Sequence, residues 1–278
     1  MEISKLFKKS EEKEYTTFPT TLETYAWYKP ILILVIAAIV SLLVSFAALS
    51  ILRANPRSGG IMGLVFTAIT VIAMIPGIYI GSKLVYKIPF STQVAPVRKW
   101  NWGIYIKAFV IALIVYAIIM GINISASGAG IPNNLPIAML ILCLILPIFQ
   151  GFAEEYLCRG ILMQTFGSWF KMPIIAIILQ AAIFAVMHPY HLLSLLSVLC
   201  TGIVYGLITW YGQGLEVSSA MHAVNNIFSF LAIGLGIQQG VAGAGINATS
   251  FIMNLVILLI PIIIILVLDK FNLIGFEG

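Results

Sequence analysis

Apolar residues run along this chain in long stretches separated by short polar breaks. The ~30 Å hydrocarbon core of a bilayer needs roughly 20 apolar residues per helix. On that length scale the pattern predicts eight spans, at 30–52, 61–80, 104–122, 136–151, 173–187, 192–210, 217–235 and 250–268. The fourth is expected to continue as a helix through Glu154 toward Phe166. The polar breaks leave no room for an inserted soluble domain. The longest are the tail before Pro30 and the segment 83–102, which holds Pro89, Pro96 and several basic residues. No short apolar core with a small-residue cleavage site follows the tail, so the first span reads as an uncleaved anchor. The expected fold class is all-α, a polytopic transmembrane helical bundle of about eight spans.

Composition strengthens that reading. The chain of 278 residues is 61% hydrophobic and only 9% charged, with a mean hydropathy of +1.06. A soluble domain of this length needs far more charge to cover its surface, so the first partner is the lipid bilayer. The formal charge of +5 belongs to topology, with no nucleic acid called for. With the N-terminus inside, thirteen Lys and Arg fall in cytoplasmic segments, against Arg53 and Arg57 outside. Basic residues in short loops stay on the cytoplasmic side. This predicts a multi-pass protein of the cell membrane with both termini cytoplasmic. Cys143, Cys158 and Cys200 lie in or beside apolar segments without metal-type spacing, and read as small buried hydrophobes. Gly202 and Gly206 form a small-residue pair of the kind that lets helices pack closely.

Acidic residues change the picture. Five of the ten Asp and Glu lie in the first 23 residues, and Asp269 and Glu277 lie in the tail. Glu216 sits in a short polar break. Glu154 and Glu155 are then the only acids inside hydrophobic sequence, and an ionisable group at membrane depth is a functional-site candidate by default. The other polar candidates, His188, His222 and Asn226, also fall in the second half. The chain therefore divides into a cytoplasmic tail at 1–29, a three-span framing region at 30–122, a catalytic core of spans four to seven at 136–235, and a last span with a short cytoplasmic tail at 250–278.

Helical spacing sorts these groups. Glu155 and Arg159, at i and i+4, share a face, and guanidinium forks onto carboxylate, so they are expected to pair. Glu154 points about 100° away and has no counter-charge of its own, which suits it to act as a general base. His222 and Asn226 are again i and i+4, and both can donate to a developing oxyanion. With the turn between spans four and five at 167–171, Glu154 lies 15 residues before Trp169 and His188 lies 19 after it. At ~1.5 Å per residue their heights differ by roughly 6 Å, within side-chain reach. Only three residues part His188 from the sixth span, so that connection must be tight or re-entrant. His191 reads as a structural residue at the membrane edge.

Taken in order, Glu154-Glu155-x-x-x-Arg159, Phe184-x-x-x-His188 and His222-x-x-x-Asn226, with Gly160 after the arginine, resemble the motif set of the CAAX-protease and bacteriocin-processing family of intramembrane proteases. The resemblance covers about 151–228. It implies that Glu154 and His188 activate water, that His222 and Asn226 hold the tetrahedral oxyanion, and that Glu155 and Arg159 support them. The implied function is an intramembrane endopeptidase that hydrolyses a peptide bond of a membrane-associated protein or peptide near the cytoplasmic side. Prenylated proteins and peptide signals are among the substrates such a family takes.

Competing readings are a proton-coupled transporter, which would want Glu and His in the membrane, and a non-enzymatic membrane regulator of the same fold. A transporter would usually show an internal repeat, and none is visible. Zn²⁺ held by Glu154, His188 and His222 is a further alternative, since catalytic zinc takes such ligands. The chain lacks His-Glu-x-x-His, and no further acid or carbonyl-rich turn stands out to orient the histidines as second-shell partners do. Hydrolysis without a cofactor is the favoured expectation.

Overall fold

A computed structural model describes residues 3–10, 14–52, 60–128, 130–238 and 245–276. Lys13, Arg53, Arg57 and Glu277, all used in the charge and acid counts, lie outside the described residues. Every regular element among the described residues is helical: α1 (Lys29–Ile51), α2 (Gly60–Ile72), α3 (Met74–Val85), the short α4 (Phe90–Val94), α5 (Trp102–Ser127), α6 (Ile137–Leu157), a π-helical turn (Cys158–Met163), α7 (Gln164–Phe170), α8 (Pro173–Val186), α9 (Leu192–Gly212), α10 (Glu216–Gly234) and α11 (Ala248–Lys270), with two short 3₁₀ turns, Ile3–Phe7 and Phe18–Thr21, near the N-terminus.

Six helical stretches among the described residues are long and apolar enough to cross a membrane. They are α1, the α2–α3 rod, α5, the rod from α6 to α7, α9 and α11. The chain is thus a multi-pass membrane protein. The remaining two expected spans also form helices, though neither is both long and apolar enough to be counted with the six. Helix α8 has 14 residues, about 21 Å at 1.5 Å per residue. Helix α10 carries Glu216, Ser218, Ser219, His222, Asn225 and Asn226, and 13 of its 19 residues are buried. Only three of the 23 residues of α1 are buried. Helix α10 is the hub of the bundle, and α1 lies at its edge.

Local chemistry explains the breaks. Pro76 has no N–H to return to the carbonyl of Ile72, and the α2–α3 rod is interrupted at Ala73, next to which Ser41 Oγ donates to the Ala73 carbonyl at 3.2 Å. Asn101 caps α5 by accepting from the N–H of Gly103 at 2.8 Å. Gly128 closes the helix at φ 61°, a left-handed conformation that glycine adopts without strain. Close packing uses glycine throughout. A Cβ at Gly77 would lie 2.6 Å from the carbonyl oxygen of Ala37, and one at Gly202 would lie 2.9 Å from the Cβ of Ala181. These contacts press α3 onto α1 and α9 onto α8.

Loop contacts fix the helix directions. Asn101 and Arg98, just before α5, both reach Glu216 at the start of α10, with Arg98 bidentate at 2.6 and 2.9 Å. Helices α5 and α10 therefore run parallel. Lys107 near the start of α5 donates to the carbonyl of Leu273 at 2.8 Å, so α11 runs against them. The N–H of Asn133 bonds the carbonyl of Leu235 at 3.1 Å, which sets α6 antiparallel to α10. One face of the bundle thus gathers Lys83, Arg98, Lys107 and Lys270. On that face part of the N-terminal tail is buried. Tyr15, Thr16, Thr17 and Phe18 are inaccessible or nearly so. The N–H of Tyr15 donates to Gln213 Oε1 at 2.7 Å, that of Ser10 to the carbonyl of Lys171 at 2.7 Å, and the Thr16 carbonyl sits directly against Gly167.

Candidate active site

Helix α6 brings two carboxylates to the centre of the bundle, and Gly151 sets how close they come to α10. A Cβ at Gly151 would lie 2.8 Å from the amide nitrogen of Ala223 and 3.0 Å from the carbonyl carbon of His222. With no side chain there, the backbones touch, and one turn later Glu155 meets His222. The Nδ1 of His222 lies 2.8 Å from Glu155 Oε1, and its Nε2 lies 3.4 Å from Glu154 Oε2. One imidazole therefore bridges both acids. Glu154 Oε1 also accepts from Gln150 Nε2 at 3.2 Å.

Behind this pair the chain enters the π-helical turn that carries Arg159. Single π turns inside α-helices are frequent at functional sites. Arg159 donates to Glu155 Oε1 at 2.8 Å, with both side chains inaccessible, and its Nη2 donates to the carbonyl of Gly202 at 3.0 Å. Gln180 Nε2 reaches the same carbonyl at 2.9 Å. The guanidinium lies 4.9 Å from the ring centre of Phe184 and 5.6 Å from that of Tyr205. Two aromatic faces therefore replace the water that a buried cation loses.

His188 arrives from the end of α8. There the last turn tightens, and the N–H of His188 bonds the carbonyl of Ala185 at 2.9 Å. The carbonyl of Phe184, left without its helical donor, takes His188 Nδ1 at 2.8 Å instead. A carbonyl only accepts, so Nδ1 carries the proton and Nε2 is the open nitrogen of the neutral ring. The neighbouring rings of Phe184 and His188 stand edge to face, 4.8 Å apart.

Glu154, His188, His222 and Asn226 all line one cavity of about 600 Å³. Glu155 and Arg159 stand behind its wall. The structure thus brings Glu154, His188, His222 and Asn226 to one cavity and sets Glu155 and Arg159 behind it. The partners are redistributed, however. The imidazole on Glu154 is that of His222, and among the described residues no hydrogen bond joins Glu154 to His188. Nor were the histidines without orienting groups, as expected: the Phe184 carbonyl and the Glu155 carboxylate hold them. Glu155 lies 67 positions from His222 on another helix, and Phe184, though only four positions before His188, contributes a main-chain carbonyl, so no side-chain spacing reveals either partner.

Other residues escaped the sequence reading. Glu216 is fully buried and held by Arg98, 118 positions away. The scarcity of acids was the one available signal. Gln150, Gln180, Tyr205, Tyr116 and Asn225 carry no such signal. A zinc site does not fit this arrangement. Among the described residues no three His, Cys, Asp or Glu side chains gather within metal-binding reach, and both nitrogens of His222 are turned to carboxylates.

Residues 136–228 match the family model described as type II CAAX prenyl endopeptidase Rce1-like. The chain is also 30% identical over 166 residues to the uncharacterized protein YyaK of Bacillus subtilis strain 168, an alignment that covers 55% of this chain and 56% of YyaK. The chain thus spans about half the length of the curated relative it matches. No solved structure gives a significant match.

Proposed function

We propose that this chain, whose residues 136–228 carry an Rce1-like domain and tie it to the CAAX-protease and bacteriocin-processing family, is an intramembrane endopeptidase of multi-pass topology. The reading puts catalysis within 136–235 and makes the substrate a membrane-associated protein or peptide. The observation that carries it is the convergence of Glu154, His188, His222 and Asn226, from α6, the end of α8 and α10, on one cavity, with a fully buried Glu155–Arg159 pair behind them.

Chemistry follows from the hydrogen-bond polarity. His222 gives its Nδ1 proton to Glu155, so its Nε2 and the Oε2 of Glu154 would face each other with lone pairs unless a proton lies between them. Glu154 can act as a base only when that proton sits on His222. The active form therefore pairs a Glu154 carboxylate with a His222 imidazolium, flanked by two acids. Glu154 takes a proton from water, and the oxygen attacks the scissile carbonyl. Once Glu154 carries the water proton it no longer holds the His222 Nε2–H as a carboxylate does, and the resulting oxyanion accepts from that N–H and from the Asn226 amide. Glu154 then returns the proton to the leaving amine. Nε2 of His188 accepts a hydrogen bond from the same water and orients it. Arg159 keeps Glu155 ionised, so that Glu155 fixes the His222 ring.

Glu154→Gln keeps the size and the contact with Gln150 but removes the base. Turnover of a co-expressed membrane substrate is expected to vanish while the folded yield is unchanged. Equal processing by variant and wild type would sink the mechanism, and proton-driven uptake into proteoliposomes would then favour a transporter.

A further inference from the structure

An asparagine serves an oxyanion only when its amide nitrogen, and not its carbonyl oxygen, faces the substrate. The two ends of the amide have nearly the same shape, so packing alone does not choose between them; hydrogen-bond polarity does. For Asn226 two side chains outside the motif set line up in one polarity in the structure. Tyr116, buried midway along α5, donates its hydroxyl to Oδ1 of Asn225 at 3.3 Å. With that oxygen engaged, Nδ2 of Asn225 points the other way and donates to Oδ1 of Asn226 at 3.2 Å. The carbonyl of Asn226 is thereby occupied, and its Nδ2 is left for the cavity that all three residues line. The ring of Phe228, 5.6 Å from that of Tyr116 between centres, holds the phenol in place.

We propose that Tyr116 and Asn225 are positioning residues, forming a hydrogen-bond chain from α5 into α10 that sets the amide of Asn226 as a donor. This rests on the reading of Asn226 as an oxyanion group. It also gives α5, outside the 136–228 match, a direct part in the site.

Two variants of the full chain in detergent test it. Tyr116→Phe deletes one hydroxyl and keeps the ring. Asn225→Asp keeps the size but sets an oxygen against Oδ1 of Asn226, which then turns over. With an internally quenched prenylated C-terminal peptide as probe, Asn225→Asp should lower kcat at least about tenfold with KM little changed, as expected for a lost transition-state donor. Tyr116→Phe should lower it less. Neither change should cost anything further in an Asn226→Ala background. Independent, multiplying losses, or a rise in KM alone, would overturn the chain. A spectroscopic measurement works even where this peptide is not cut. In protein labelled with ¹⁵N at asparagine, Tyr116→Phe should shift the side-chain amide signals of both Asn225 and Asn226 and leave that of Asn101 in place. A shift confined to Asn225 would overturn the proposal. If Asn226→Ala itself leaves kcat intact while both signals move, the oxyanion reading fails and the positioning chain stands.

Discussion

At the residue scale, the two adjacent acids divide their work by their neighbours. Glu155 is inaccessible and shares one oxygen between Arg159 and His222, so Glu155→Gln leaves a buried guanidinium without its counter-charge. Breaking a buried pair from one side typically costs ~3–5 kcal/mol. We expect Glu155→Gln to lower both the folded yield and the thermal midpoint, unlike Glu154→Gln. A midpoint equal to that of wild type would show that Phe184, Tyr205 and the Gly202 carbonyl suffice to hold the cation. His222→Ala and Asn226→Ala should act on kcat, by ~2.7–4 kcal/mol each for an oxyanion donor. A rise in KM alone would move them to substrate docking. Because His222 already spends both nitrogens on carboxylates, activity should survive exhaustive chelation. Loss of activity on chelation, restored by added Zn²⁺, would contradict that.

At the element scale, the site depends on how closely α6 and α10 approach. Gly151→Ala places a methyl 2.8 Å from the Ala223 amide, and overpacking of this kind costs ~1–3 kcal/mol. Gly121 in α5 has nothing within 4 Å of the same position, so Gly121→Ala should be neutral or slightly stabilising. The thermal midpoints of the two variants check the contrast. If Gly151→Ala is as stable and active as Gly121→Ala, the crossing is looser than the backbone contact implies. This scale also shows what the sequence made legible. The Glu155–Arg159 pair is a local consequence of helical spacing and could be read directly. So could the continuation of the fourth span beyond Glu154. The His222 bridge could not, because it depends on where two helices 67 residues apart cross. The central place of α10 is equally hidden, because periodicity does not distinguish a helix against lipid from one buried among other helices. The end of α8 hid its main device in a carbonyl, which has no letter in the sequence.

At the scale of the whole molecule, the cavity has a direction. From Glu154 and His222 it extends to Asn123 and Ile124 at the end of α5 and to Gln238 after α10, away from the face that gathers Lys83, Lys107 and Lys270. If that basic face is cytoplasmic, as basic residues favour, the cavity mouth looks outward, opposite to the cytoplasmic-side cleavage that the family resemblance implies. Asn123→Cys, in a background without the native cysteines, should then react with an impermeant maleimide added to intact cells. Labelling only after lysis would reverse the orientation. The buried segment around Tyr15 and Thr16 has a consequence in time. Its partner Gln213 lies 198 positions further along the chain, and synthesis adds only about 5–20 residues per second. The segment therefore waits on the order of ten seconds or more before its berth exists. Anything that grips it during that interval, a chaperone or a bulky fusion, competes with its docking against the end of α9.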